Sequence, residues 1–174
     1  MIRIANGQGF WGDWVEAPIR LLEDGPIDFL TLDYLAEVTM AVLQKQRPRQ
    51  PAAGYAHDFP PLVRRLAPAL QRKGVALVAN AGGLNPTGCA GEVKKLAPDL
   101  KVAAITGDDI LPRLDEIQAL GCSLANMDTG QPLSTVREKV LSANVYLGAF
   151  PIAEAMATGA QVVVTGRCAD AALA

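Results

Sequence analysis

Val75-Ala76-Leu77-Val78-Ala79, running into Asn80-Ala81-Gly82-Gly83, is the stretch that decides the fold. Its apolar residues are consecutive rather than alternating, as in a strand covered on both faces, and a polar, glycine-rich turn closes it. A helix-like stretch follows, so the unit reads as β-loop-α. The same unit recurs along the chain. Ile2 to Asn6, Phe29 to Asp33, Val75 to Asn80, Val102 to Thr106 and Gln161 to Thr165 read as strands, with a weaker one around Val145. The amphipathic stretches between them are Trp14 to Leu22, Leu35 to Gln46, Leu62 to Arg72, Gly91 to Leu96, Ile110 to Leu120 and Pro151 to Thr158. Connections of these lengths suit right-handed crossovers. The expected fold is α/β, a mostly parallel sheet with helices on both faces in a Rossmann-like three-layer arrangement.

The chain has 174 residues, half of them apolar, which suffices for one domain with a substantial core. Sixteen basic against eighteen acidic side chains give a net charge of -2, without the basic footprint that a nucleic-acid partner demands. The apolar runs fall far short of the roughly 18 residues that span a bilayer. The opening Met1-Ile2-Arg3-Ile4-Ala5-Asn6-Gly7 turns polar before any signal-like stretch forms. A cytoplasmic protein with no membrane partner is expected. Cys89, Cys122 and Cys168 are too widely spaced for a zinc knuckle and odd in number, and His57 is the one histidine, so no metal ligand set is assigned.

From Gln46 to Pro61 the prolines Pro48, Pro51, Pro60 and Pro61 and Gly54 predict a long excursion rather than a helix. Residues 44 to 73 hold seven basic side chains (Lys45, Arg47, Arg49, Arg64, Arg65, Arg72 and Lys73) against the single acid Asp58. They form either a solvated face or an anion or subunit contact.

In an open parallel sheet, ligands collect outside the carboxyl ends of the strands, where loops and helix N-termini converge. The polar residues of this chain cluster there. Asn6-Gly7-Gln8-Gly9 follows the first strand, Asp33 the second, Asn80-Ala81-Gly82-Gly83 the third, Asp108-Asp109 the fourth and Gly166-Arg167 the last. Gly7-Gln8-Gly9-Phe10-Trp11-Gly12 matches G-x-G-x-x-G literally, with Asp33 at the spacing of a ribose contact. Asp13 and Glu16 bring negative charge to the following helix start, against a pyrophosphate. The loop is therefore either a dinucleotide site or a glycine turn that exposes Gln8 and Trp11 to another ligand. The glycines from Gly82 to Gly91 could form a nest of N–H groups, with Thr87 capping the next helix. Cys89 there is either a nucleophile or a small buried thiol. Asp108 and Asp109 suit acid/base work or helix capping, and Asp128 suits either an acid role or a turn. Arg167 either holds an anionic substrate or pairs with Asp170. His57 is a general base or a loop residue.

The wording of four segments is familiar: Asn6 to Asp13, Asp28 to Met40, Asn80 to Pro86, and Val164-Thr165-Gly166-Arg167-Cys168-Ala169-Asp170. Together they resemble the acyclic terpene utilisation family of AtuA-like proteins. That resemblance implies a role in catabolism of citronellol- or geraniol-type compounds through acyl-CoA thioesters, and it implies that residues 1–174 form the N-terminal portion of a longer domain. The expectation is a catabolic enzyme acting on a branched acyl substrate as its CoA thioester, assembled as a homo-oligomer, with no cofactor assigned. Asn6, Gly7, Gln8, Gly9, Trp11, Asn80, Gly82, Gly83 and Arg167 would bind the substrate, backbone N–H groups of the glycine loops holding a carbonyl or phosphate oxygen. Asp33, Asp108 or Asp109 would handle protons. The alternatives are an NAD(P)-binding oxidoreductase and a non-enzymatic subunit of an acyl-CoA carboxylase complex.

Overall fold

A computed structural model describes residues 1–46 and 52–174. Five strands form one parallel sheet: β1 (Ile4–Gln8), β2 (Phe29–Leu32), β3 (Ala76–Ala79), β4 (Val102–Ile105) and β5 (Val162–Thr165). Their order in space is β1-β2-β3-β5-β4, so the last strand of the chain is inserted between β3 and β4. The helices are α1 (Glu16–Asp24), α2 (Glu37–Gln46), α3 (Phe59–Lys73), α4 (Pro86–Leu96), α5 (Leu114–Ala119) and α6 (Phe150–Ala157). The α/β, three-layer expectation holds. Among the described residues no helix is long and apolar enough to cross a membrane.

The two faces of the sheet are covered unequally. Leu30, Leu32, Leu77, Ala79, Val162 and Val164 face the main core with residues of α1, α3 and α4, such as Leu22, Leu66 and Val93. Val78, Ile105 and Val163 face a smaller core closed by Ile152 of α6 and by Leu173. Each fully buried Leu or Val contributes about 1.5–3 kcal/mol, so most of the stabilisation lies on the first face. On the other, Ile4 and Phe29 border an open apolar groove of about 440 Å³ beside Met156 of α6.

Several expectations are corrected. The weak strand around Val145 is absent: the segment makes only isolated bridges, Asp109 with Asn144 and Leu147 with Cys168. The predicted helix Ile110 to Leu120 is a 3₁₀ turn at Leu111–Arg113 followed by the six residues of α5. Pro60 and Pro61 do not extend the excursion but occupy the first turn of α3, where a missing N–H costs nothing. Gly74 then ends α3 in the left-handed conformation at φ 66°. Of the excursion's other residues, Arg47, Pro48, Arg49 and Pro51 lie outside the described ones. Residues 52–58 dock on the loop after β3: Leu84 N–H donates to Gly54 O (2.7 Å), Ala56 N–H to Ala81 O (2.9 Å), and Asn85 Nδ2 to Ala52 O (2.9 Å). The basic residues of α3 meet α1, Arg65 pairing with Glu16 at 2.7 Å and Arg72 with Glu23 at 2.8 Å. Spaced seven apart on both helices, these exposed pairs form two rungs worth up to about 1 kcal/mol each.

Candidate functional site

The carboxyl ends of β1, β2 and β5 surround a cleft of about 260 Å³. Gly9 and Phe10 after β1 form one wall, Asp33 to Glu37 between β2 and α2 the floor, and Tyr146, Arg167 and Asp170 the opposite side. Phe10 is 60% exposed and gives the cleft an apolar side.

Asp33 is half-buried at the cleft, and its position is fixed from below. Asn80, with no exposed surface, donates from Nδ2 to Asp33 Oδ1 at 2.6 Å. The Asn80 Oδ1 accepts from the backbone N–H groups of Tyr34 (2.5 Å) and Leu35 (3.2 Å). One side chain at the end of β3 thereby shapes the β2 loop and aims its carboxylate. The Asp33 N–H donates to Gln8 O at 2.9 Å and ties the same loop to β1.

Arg167 supplies the cleft's positive charge from a side chain only 5% exposed. Its Nη1 donates to Cys168 O (2.9 Å) and to Asp170 Oδ1 (3.1 Å). The Nη2 lies 3.5 Å from Glu37 Oε1, the guanidinium carbon sits 4.1 Å from the centre of the Tyr146 ring, and Nε is buried without a partner. The Tyr146 hydroxyl donates to Glu37 Oε1, and that bond chiefly holds the Glu37 carboxyl below its ordinary pKa. Of the two alternatives read for Arg167, the pairing with Asp170 is present, and the side chain also borders the cleft.

Asp108 does not line this cleft. It is buried, and its Oδ2 accepts from the Arg167 backbone N–H (2.8 Å) and from Asn144 Nδ2 (2.9 Å). Burial pushes its carboxyl above the ordinary value, against the pull of those two donors. The carboxylate lies against Gly166, where a Cβ would overlap it. Asp108 thus clamps the β4 loop, the β5 loop and residues 144–145 together. Asp109 accepts the Leu111 N–H at 3.0 Å and caps the 3₁₀ turn.

The glycine loops are largely satisfied from within. Asp13 accepts from Gly9 N–H (3.0 Å) and Trp14 N–H (2.7 Å), so a carboxylate of the chain itself engages the Gly9 amide. Helix α1 begins only at Glu16, well past the glycines, and offers them no N-terminus. Gly7 instead lets α1 approach: a Cβ there would meet Pro18 Cβ at 2.8 Å and Leu32 Cδ2 at 2.9 Å. Gln8 is buried and donates weakly to Asp13 O (3.4 Å), its Oε1 lacking a partner. Asn6 is exposed on β1 beside Thr31. Trp11 turns away from the cleft, donating from Nε1 to Asp58 Oδ1 at 2.6 Å and packing edge-on to the exposed His57. After β3, Gly82 N–H donates to Thr165 O (3.0 Å), and Gly83, at φ 54°, abuts Gly54 O. Asn85, not Thr87, caps α4 by accepting the Gly88 N–H. Cys89 is buried, its thiol pushed up far from the thiolate form by burial. The backbone N–H groups of Asp128 and Thr129 donate to Asn126 Oδ1 in an exposed turn. Among the described residues no group of three or more His, Cys, Asp or Glu side chains is placed to hold a metal.

Of the expected site residues the structure brings Gly9, Asp33 and Arg167 to the cleft, with Asn80 directly beneath. Phe10, Glu37 and Tyr146 join them without having been singled out. Phe10 lay within the quoted glycine loop as a bulky residue and was the one readable signal. Tyr146 comes from a segment with no periodicity, and Glu37 reads as an ordinary first-turn acid.

The family model described as "Acyclic terpene utilisation family protein AtuA" matches residues 2–174. No curated protein and no solved structure matches the chain.

Proposed function

The chain belongs to the acyclic terpene utilisation (AtuA) family, and from that premise we propose that it is a catabolic enzyme whose strand-end cleft takes a branched acyl substrate presented as its CoA thioester. The observation that carries this reading is the meeting of an apolar wall, Phe10, with an aimed carboxylate, Asp33, and a buried guanidinium, Arg167, outside the carboxyl ends of β1, β2 and β5. An acyl group needs the first, and a charged or polarised carbonyl group needs the third. Asp33 is the one carboxylate held for proton transfer next to both, because Asn80 fixes its orientation without burying it. With the amides of Gly9 and Gly82 engaged internally, Arg167 rather than a backbone nest supplies the electrostatic stabilisation.

The test is direct. A panel of branched and straight-chain acyl-CoA thioesters is titrated calorimetrically against the protein. Binding of the branched members, lost in Asp33→Asn with Phe10→Ala or weakened at least tenfold by Phe10→Ala alone, is the expected result. Equal, weak binding of every thioester, or unimpaired growth of a deletion strain on citronellol, overturns the proposal.

A further inference from the structure

Arg167 has a used edge and an unpartnered one. Its Nη1 is committed to Cys168 O and Asp170, while Nε has no partner and Nη2 has only the 3.5 Å contact to Glu37. The Nε and Nη2 hydrogens of a guanidinium point the same way, and that edge is the one a carboxylate accepts from with both oxygens. Glu37 approaches with one oxygen, at a distance beyond a good charge-assisted bond, and its side chain is 74% exposed. It is held mainly by the Tyr146 hydroxyl, whose own ring stacks on the guanidinium.

We propose that the Nε–Nη2 edge of Arg167 is a binding site for a ligand carboxylate, and that Glu37 is an internal competitor that occupies the site until the ligand displaces it. The inference rests on reading the strand-end cleft as the ligand site and adds the chemical class of one end of the ligand. Charge balance gives the competitor its role. Asp33, Glu37 and Asp170 all border the cleft with Arg167, so a fourth anion is accommodated best if one carboxylate leaves. Asp33 is tied to Asn80, and Asp170, though as exposed as Glu37, bonds Nη1 at 3.1 Å, whereas Glu37 on the first turn of α2 comes no nearer than 3.5 Å to Nη2. Tyr146 is then free to swing its hydroxyl from Glu37 to the ligand. Carboxylate and phosphate can both accept from this edge with two oxygens, and the apolar Phe10 side of the cleft favours a carboxylate that carries an alkyl group over free phosphate.

The probes are 3-methylbutanoate, 3-methylbutanamide and inorganic phosphate, titrated calorimetrically into the wild-type protein and into Glu37→Gln, which keeps a Tyr146 partner and sits on the surface. The expected result is binding of 3-methylbutanoate at least tenfold tighter in Glu37→Gln than in the wild type, with no such gain for the amide, and with phosphate bound more weakly than 3-methylbutanoate by both proteins. Equal affinity for 3-methylbutanoate in the two proteins, or no binding to either, overturns the proposal; so does phosphate binding as tight as or tighter than the carboxylate's. Branched acyl-CoA titrated in parallel separates the two readings. Thioester binding without the Glu37→Gln gain removes the competitor and leaves the acyl reading standing, whereas the gain without thioester binding does the reverse.

Discussion

Asn80 and Asp108 show how single buried polar residues set this site without touching the cleft. Removing Asn80 strands two backbone N–H groups and frees Asp33. Asn80→Ala should therefore cost about 2–3 kcal/mol, read as a lower urea midpoint at unchanged slope. Asp108→Ala strands the Arg167 N–H and Asn144 and should cost about 2 kcal/mol, while Asp108→Asn, which still presents an acceptor oxygen, should stay within about 1 kcal/mol of wild type. The pH dependence has a definite sign. The folded Asp108 binds its proton more tightly than the unfolded one, so its contribution to stability falls as pH rises from near the ordinary value of 3.8 through the raised folded value, then levels. Glu37 has the opposite sign: its depressed value makes its contribution present above the ordinary 4.5 and lost as pH falls through the folded value. Urea melts of wild type and Asp108→Asn across this range isolate the first effect, because only the wild type carries the downward slope from that group. At this scale the sequence was half legible. Asp33 and Arg167 announce themselves as charges at strand ends. Asn80 was read as a ligand residue, because nothing in a sequence shows that its amide meets Tyr34 and Leu35, which lie 45 or more positions away.

At the level of elements, the strands were readable because continuous apolar runs have one good use in a sheet covered on both sides, and Val75 to Asn80 overran β3 by one residue at each end. The region from Ala143 to Leu147 was not, since apolar residues there serve a clamp made by Asp108 and the β5 loop rather than a ladder: Val145 N–H donates to Asp108 O and Leu147 N–H to Arg167 O. The literal G-x-G-x-x-G was misleading for a physical reason. Gly7 answers to the packing of α1 on β1, and Asp13 closes the loop on itself. Gly7→Ala should accordingly force α1 outward and cost about 1–3 kcal/mol in a thermal or urea melt, a backbone in the ordinary region leaving sterics as the sole cause. Asp13→Ala, by contrast, should free the Gly9 and Trp14 N–H groups to water at the exposed rim and lower the midpoint of the same melt by less than Gly7→Ala does.

For the whole molecule, the three-layer arrangement was legible from the repeat of β-loop-α units, but the inequality of its layers was not, because strand runs apolar on both faces look alike whether a helix or a groove lies against them. Ile4, Phe29, Val78 and Met156 leave an open apolar groove where one layer is thin. An apolar dye such as ANS should fluoresce on the native protein, and Ile4→Glu, on a strand at the sheet's edge, should dim it with less than about 0.5 kcal/mol change in stability. The order β1-β2-β3-β5-β4 has a consequence in time. On a ribosome, β1, β2 and β3 with α1, α3 and α4 leave the exit tunnel well before β5, and β4 emerges with no strand to pair with. Until Val162 to Thr165 arrive and slip between Leu77–Ala79 and Val102–Ile105, the nascent chain carries two raw strand edges at once. Vectorial synthesis thus leaves these edges unpaired while residues 106–161 are added, an interval set by the position of one strand in the gene.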